Sequence, residues 1–206
     1  MRFLLADDHP LFRDALRTIV QRAFAQAEVI EAPDVSGIYA ALDGDTDLLL
    51  LDLAMPGARG FSALVALRAQ FPALPVIVVS GRSDPLTIAR ALVHGAAGFI
   101  PKSASAEQMT HAIERVLAGD IVDPTHSASP MMPAAERALA SKLRELTAAQ
   151  FRVLLGICDG KLNKQIAHEL SITEATVKAH VTAVLRKLGA HHRTQLVAMT
   201  AALAVE

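Results

Sequence analysis

The chain has 206 residues, 52% of them hydrophobic and 20% charged, which suffices for one large domain or two modest ones and excludes disorder throughout. A single cysteine, Cys158, excludes an internal disulfide and suits a reducing cytoplasm; no apolar run approaches the ~18 residues of a membrane-spanning helix, and the acidic start MRFLLADDHP is no signal peptide. The net charge of −1 hides an asymmetry: residues 1–123 carry 10 Lys and Arg against 15 Asp and Glu, residues 124–206 carry 10 against 6, and the resulting −5 and +4 suggest two domains with different partners.

In the first half, short apolar runs alternate with amphipathic stretches. RFLLA (2–6), EVIEA (28–32), LLLLD (48–52), PVIVVS (75–80) and GFI (98–100) predict strands. Helical spacing falls at about 11–26, 35–42, 59–70, 84–94 and 105–118. This alternation predicts an α/β doubly wound five-stranded parallel sheet over 1–119, with right-handed crossovers. After Gly119 the pattern stops. DIVDPTHSASPMMPAAE carries three prolines and reads as a linker over 120–142, with its methionine pair either part of the tether or docked on a domain.

The remaining stretch, 143–206, is helical throughout. LTAAQF puts Thr147 at an N-cap with Gln150 three residues on, and Leu146 and Phe151 as a hydrophobic staple. LNKQIA offers Asn163 as the next cap, and ITEATV offers Thr173, with Ile172 stapled to Val177. Capped helices with a turn at Asp159-Gly160 predict a small all-α helix-turn-helix domain.

In a doubly wound sheet, functional groups gather beyond the carboxyl ends of the strands. The first strand ends on Asp7-Asp8, the third on Asp52 and the fourth on Ser80, and Lys102 follows the fifth. With the flavodoxin-like order 2-1-3-4-5, the first and third strands are neighbours and three carboxylates meet. Such charges repel unless a cation lies among them, and an oxygen-only ligand set points to Mg2+. The combination is a phosphoryl-transfer site in which Asp52 attacks phosphorus while Ser80 and Lys102 hold the product. Each residue alone has an ordinary explanation as a turn, a helix cap or a solvated side chain. Their conjunction, each at its own strand end, is far more specific.

On a helix beginning after Thr173, residues Val177, Val181, Val184, Leu185 and Leu188 form one buried stripe. The opposite face carries Ala175, Ala179, Thr182 and Arg186, flanked by Lys178 and Thr176. Small residues between basic ones let a helix enter a groove while Lys and Arg reach phosphates; a fully buried helix is the competing explanation. Cys158 is expected in the core and His191-His192 in a surface turn.

Asp7-Asp8, LLLLDLAMPG, VIVVSG and GAAGFIPKS together resemble the receiver domain of two-component response regulators over residues 1–119. The spacings from Asp52 to Ser80 and from Ser80 to Lys102 are similar to those of the NarL/FixJ branch. The resemblance implies that a phosphorylated histidine kinase donates phosphate to Asp52. It implies Asp8 and Asp52 as direct Mg2+ ligands, Asp7 acting mainly through water, the Ala54 carbonyl as a further ligand, and Ser80 with Phe99 as a switch pair. Two departures stand out: Arg59 occupies a position where relatives often carry Asp or Asn, and Lys102 lies between Pro101 and Ser103, leaving the isomer of the following peptide bond open. Ala54 and Arg82 fall where the family tunes hydrolysis of the aspartyl phosphate. An alanine there cannot orient an attacking water, so a persistent phosphoryl group is expected.

From residue 145 onward NKQIA, TVKAH, RKLG and RTQL resemble the LuxR-type DNA-binding domain. The resemblance implies a recognition helix near 174–188, base contacts from Lys178, Ala179 and Thr182, and phosphate contacts around Asn163, Lys164, Thr173 and Thr176, with Arg186 on the same exposed face. Relatives often carry an arginine where Ala149 stands. Ala179 and the Thr182 methyl suit a thymine methyl, and Lys178 suits guanine. The C-terminal QLVAMTAALAV is expected to pair two copies, so that a homodimer meets paired half-sites in double-stranded DNA. Altogether the sequence predicts a cytoplasmic, phosphorylation-controlled transcription factor, with no enzymatic role beyond self-dephosphorylation and no membrane partner. Two rivals remain. An aspartyl phosphatase needs a second carboxylate two residues after the nucleophile, where Ala54 stands; a receiver serving only as a protein-interaction module needs no intact Asp8, Asp52, Ser80 and Lys102.

Overall fold

The computed structural model describes residues 1–58, 60–125 and 133–201. Strands β1 (Arg2–Ala6), β2 (Glu28–Ala32), β3 (Leu48–Leu51), β4 (Val76–Ser80) and β5 (Gly98–Pro101) form one parallel sheet in the order β2-β1-β3-β4-β5. Helices α1 (Pro10–Ala23), α2 (Val35–Ala41), α3 (Ser62–Gln70) and α4 (Pro85–Val93) connect them, and α5 (Ala106–Leu117) follows β5. The predicted fold and strand order are those observed.

The four leucines of β3 are explained by two-sided burial. Leu48 and Leu50 join the cluster of Leu16, Val20, Met109 and Ile113, contributed by α1 and α5. Leu49 and Leu51 belong to the opposite cluster, with Leu64, Leu67 and Phe99. Successive side chains leave a strand on opposite faces, so a strand covered on both sides needs an apolar residue at every position. Beyond α5 the chain turns back, and Val122 pairs with Gly98 on the free edge of β5. A Cβ at Gly98 would lie 3.1 Å from Val116 and 3.2 Å from Val122, so glycine permits this close return.

The second half contains α6 (Ala134–Arg144), α7 (Ala148–Cys158), α8 (Asn163–Glu169), α9 (Glu174–Leu188) and α10 (Arg193–Thr200). Thr147 and Gln150 close the predicted capping box on α7, and the staple residues Leu146 and Phe151 are buried. Thr173 caps α9 by accepting the Thr176 N–H at 3.1 Å. Gly189, at φ 71°, ends α9 in the left-handed conformation. Val177, Val184 and Leu188 are fully buried, with Val181 and Leu185 partly so, as the stripe predicts. Cys158 is half-buried against the core rather than within it, its Sγ 3.1 Å from Thr200 Oγ1, and His191 and His192 are exposed.

Two readings need correction. The cap position of α8 is Leu162, and Asn163 is the first helical residue. A leucine has no acceptor to offer, so the turn is closed from the other side by Gln165 Oε1, which accepts the Leu162 N–H at 2.7 Å. The stretch read as a linker also contains most of α6, with Ala140 and Leu143 buried. Pro133 directly precedes this helix; proline at that point marks a helix start, whereas composition alone made it a breaker. Residues 126–132, including the methionine pair, residues 202–206 and Arg59 lie outside the described residues.

The two halves share a core. Residues Ser62 to Leu67 of α3 are all buried, and this helix packs on both α6 and α7. Ser62, Ala63 and Ala66 are small, which permits close helix packing. At the rim, Glu136 on α6 accepts two hydrogen bonds from Arg90 on α4, at 2.6 and 3.2 Å, and Arg144 donates to the Val93 carbonyl at 3.3 Å. His94 is buried in this contact with its ring 5.4 Å from that of Phe61 and Nδ1 without a hydrogen-bond partner.

Burial lowers the His94 pKa to about 4; Glu136 opposes the shift, and Arg144 and Arg90 reinforce it. Unfolded, the imidazole protonates near its ordinary value of 6.5; folded, it resists until about 4. The unfolded chain therefore binds more protons across this interval, and stability is lost as pH falls through it. Unfolding titrations at pH 7 and pH 5 should show wild type losing more stability than His94→Leu. Parallel losses would mean that His94 titrates alike in both states.

Candidate functional site

Parallel pairing delivers the carboxylates to one place. The Asp52 N–H donates to the Ala6 carbonyl at 2.8 Å, extending the β1–β3 ladder by one residue and bringing Asp52 beside Asp7. Asp7 and Asp52 are only 1% and 2% exposed, and Asp8 is half-buried nearer the surface. On the other side of the sheet centre, the Lys102 N–H donates to the Ser80 carbonyl at 2.8 Å, which carries the β4–β5 pairing to the lysine. Lys102 then reaches across, with Nζ 2.9 Å from Asp52 Oδ2 and 2.7 Å from Asp7 Oδ2. Burial disfavours the charged lysine, but the hydrogen bond to Asp52 and the charges of Asp7 and Asp52 outweigh it and hold its pKa above the ordinary value.

His9 completes the cluster. Its Nδ1 lies 2.7 Å from Asp8 Oδ1 and 3.2 Å from Asp7 Oδ1. One donor atom each from Asp7, Asp8, His9 and Asp52 lies within 4.8 Å of the others, a group that could hold a metal ion. Asp7 Oδ2 and Asp8 Oδ1 are buried without a properly aligned hydrogen bond; their approaches to Lys102 and His9 have the distance of ion pairs but not the angle of hydrogen bonds. Buried, under-satisfied carboxylate oxygens fit a cation.

Above the cluster opens a pocket of about 610 Å³, between Phe12, Asp52, Ala54, Ser80, Arg82 and Lys102. Ala54 is exposed, and its N–H donates to Asp52 Oδ1 at 3.2 Å. Ser80 is buried, its Oγ accepting the Arg82 N–H at 3.2 Å. Phe99 is 1% exposed and packed in the core on the α3 side. Among the described residues every peptide bond is trans, including the one after Lys102. The structure thus gathers Asp7, Asp8, Asp52, Ala54, Ser80 and Lys102, and buries Phe99 on β5 beside Val78 of β4. Sequence reasoning missed His9 and Phe12. His9 directly follows the aspartate pair, which is a signal; Phe12 shows only as one apolar residue on an amphipathic helix.

The second predicted surface is also assembled. Lys164, Thr173, Thr176, Lys178, Ala179, Thr182 and Arg186 are exposed and Asn163 is half-exposed, on the N-terminal end of α8 and the outer side of α9. Helix α9 packs on α7 and α8, whereas the contact between the halves is made by α6 and α7 with α3. The outer face of α9 therefore stays open in this arrangement. A Cβ at Gly156 on α7 would lie 2.8 Å from Ile166, so this glycine sets how closely α8 approaches.

Residues 3–114 match the family described as response regulator receiver domain, and residues 144–200 match that of bacterial regulatory proteins, luxR family. The chain belongs to the NarL/FixJ response regulators. It is 42% identical to the glycerol metabolism activator of Pseudomonas putida, covering 95% of this chain and 93% of that one. It is 34% identical to the nitrate/nitrite response regulator NarL of Escherichia coli K12, covering 93% and 91%. Among solved structures, RcsB from Salmonella enterica serovar Typhimurium, bound to promoter rprA with BeF3−, has the same fold, with a TM-score of 0.57 at 22% identity over 98% of each chain. This response regulator therefore joins a receiver, the domain type served by histidine kinases, to a LuxR-type DNA-binding domain, as transcriptional regulators of two-component systems do. Among the described residues no helix is long and apolar enough to cross a membrane.

Removing the Lys102 ammonium leaves Asp7 and Asp52 buried without their cation. Metal-free Lys102→Ala should lose about 3–5 kcal/mol of unfolding free energy, with part recovered in millimolar Mg2+. Chemical denaturation with and without EDTA checks this, and equal stabilities for wild type and variant would contradict it.

Proposed function

We propose that Asp52 accepts a phosphoryl group from a phosphorylated histidine kinase and that this controls DNA binding by the C-terminal helices. The observation that carries the reading is the Lys102 ammonium held between two buried carboxylates at the mouth of an open pocket. An Asp52 oxygen attacks phosphorus in line, the bond from phosphorus to the histidine nitrogen breaks, and the imidazole leaves with the electron pair. Asp8, Asp52 and the Ala54 carbonyl would hold Mg2+ directly, with Asp7 through water. Bound there, Mg2+ would neutralise charge on the phosphoryl oxygens. Lys102 pairs with one phosphoryl oxygen and the Ser80 hydroxyl donates to another. Ala54 offers no side chain to orient a hydrolytic water, so self-dephosphorylation is slow.

The modification replaces the single negative charge of the Asp52 carboxylate with the roughly 1.5–2 of a phosphoryl group, a gain of about one charge at a buried point. Ser80 must leave its Arg82 contact to reach the phosphoryl group, and Phe99 fills the space behind it. Ser80 ends the strand leading into α4, and α4 carries Arg90, the partner of Glu136 on α6. Movement at Ser80 thereby loosens the contact between a receiver over 1–119 and a DNA-binding domain over 143–206. The released half dimerises and lays α9 in the major groove. Lys178, Ala179 and Thr182 would meet bases, with Asn163, Lys164, Thr173, Thr176 and Arg186 at the backbone. Such a regulator works in the cytoplasm, beside the chromosome; the activator function of the Pseudomonas putida relative favours activation as the outcome.

Incubation with acetyl phosphate and Mg2+ should give one phosphoryl adduct, located at Asp52 by peptide mass mapping, and Ala54→Asn should shorten its lifetime. An adduct elsewhere, or none, contradicts the reading. On DNA, Lys178→Ala should cost roughly 1–3 kcal/mol at one base pair of the operator. An equal loss on every sequence would make Lys178 a backbone contact.

A further inference from the structure

The pocket beside Asp52 has an aromatic wall that the reaction above does not use. We propose that Phe12 is a positioning residue for phosphoryl transfer: its ring holds the Lys102 ammonium in line with Asp52 and closes that side of the pocket to water. This rests on Asp52 being the phosphoacceptor.

Phe12 lies in the first turn of α1, with its ring centroid 4.8 Å from Lys102 Nζ. An ammonium over the face of a benzene ring is attracted by the negative charge of its π face, and more strongly where water is excluded. Lys102 is then gripped from three directions, by Asp7, Asp52 and the ring. The two carboxylates fix its distance; the ring restrains how far the flexible butyl chain swings toward the open pocket. Phe12 is itself held. It packs on the core beneath α1, and its neighbour Arg13 donates to the Asp7 carbonyl at 2.6 Å and to Glu31 at 2.7 Å, tying α1 to the ends of β1 and β2. The ring and the carboxylates therefore belong to one rigid unit.

Fixing Lys102 matters most at the moment of transfer. As the Asp52 oxygen bonds to phosphorus and acetate leaves acetyl phosphate with the bonding electron pair, negative charge spreads over the phosphoryl oxygens. A cation already in place stabilises that charge without reorganisation. A lysine free to sway must first be ordered.

The test compares Phe12→Leu, which keeps an apolar side chain in the core, with Phe12→Tyr, which keeps the ring. Initial rates of Asp52 labelling by acetyl phosphate with Mg2+ should fall about three- to tenfold in Phe12→Leu and return to near the wild-type rate in Phe12→Tyr. A purely structural role would not separate a folded leucine variant from a folded tyrosine variant. A second readout needs no phosphorylation: after reductive methylation with 13C-formaldehyde, the Lys102 methyl signal should sit upfield from the ring current in wild type and Phe12→Tyr. In Phe12→Leu it should move to the position of the exposed lysines. Wild-type labelling rates in Phe12→Leu, or an unshifted wild-type Lys102 signal, overturn the proposal. A shifted signal in a wild-type protein that takes no label at Asp52 would keep the ring contact and refute the phosphoacceptor reading.

Discussion

Everything at the carboxyl edge of the sheet depends on one arrangement of charge. Two carboxylates are buried there almost completely, and the lysine ammonium between them is the charge that offsets desolvating two like charges side by side. Parallel pairing of β1 with β3 brings the carboxylates together, and pairing of β4 with β5 supplies the lysine. The under-satisfied oxygens of Asp7 and Asp8 leave room for further positive charge, and the open pocket leaves room for a phosphoryl group. The site is stable enough to persist and incompletely satisfied, so incoming cations and anions both find partners.

The contact between the halves offers the proposed mechanism a way to act at a distance. Helix α3 packs on α6 and α7, and the Arg90–Glu136 pair ties α6 to α4, the helix that follows the strand ending in Ser80. In the proposed mechanism these packed units have two discrete states, docked and undocked, and a modest change at Ser80 biases them. The outer face of α9 stays open in this arrangement, so the proposed control of DNA binding does not rest on burial of that face. Control through the freedom of the helical half to pair with a second copy is the simpler consequence.

Much of this was legible in the sequence because the governing patterns are local. Burial on both faces of the sheet wrote itself as LLLL and VIVVS, and helix caps wrote themselves as Thr147 with Gln150 and as Thr173. The acidic site was legible because topology rules say which strand ends meet. Helix α6 was obscured because prolines and serines precede it, and composition weighs them without regard to position. The start of α8 was displaced by one residue because Asn163 has a good capping side chain, although the turn is closed by Gln165 instead. The shared core escaped notice for a deeper reason: small residues such as Ser62 and Ala66 look like positions on any surface helix, and only a three-dimensional partner gives them meaning. The same holds for Phe12, whose role depends on a lysine ninety residues later in the chain.

The claim on which the account turns is that charge placed on Asp52 changes the grip on DNA by the other half. The most direct measurement is operator affinity at fixed salt, by fluorescence anisotropy, for wild type and Asp52→Asn with and without acetyl phosphate and Mg2+. The account predicts that the phosphodonor tightens binding by wild type and leaves Asp52→Asn unchanged. Equal tightening in both proteins, or none in a wild-type sample shown to be phosphorylated, would contradict it.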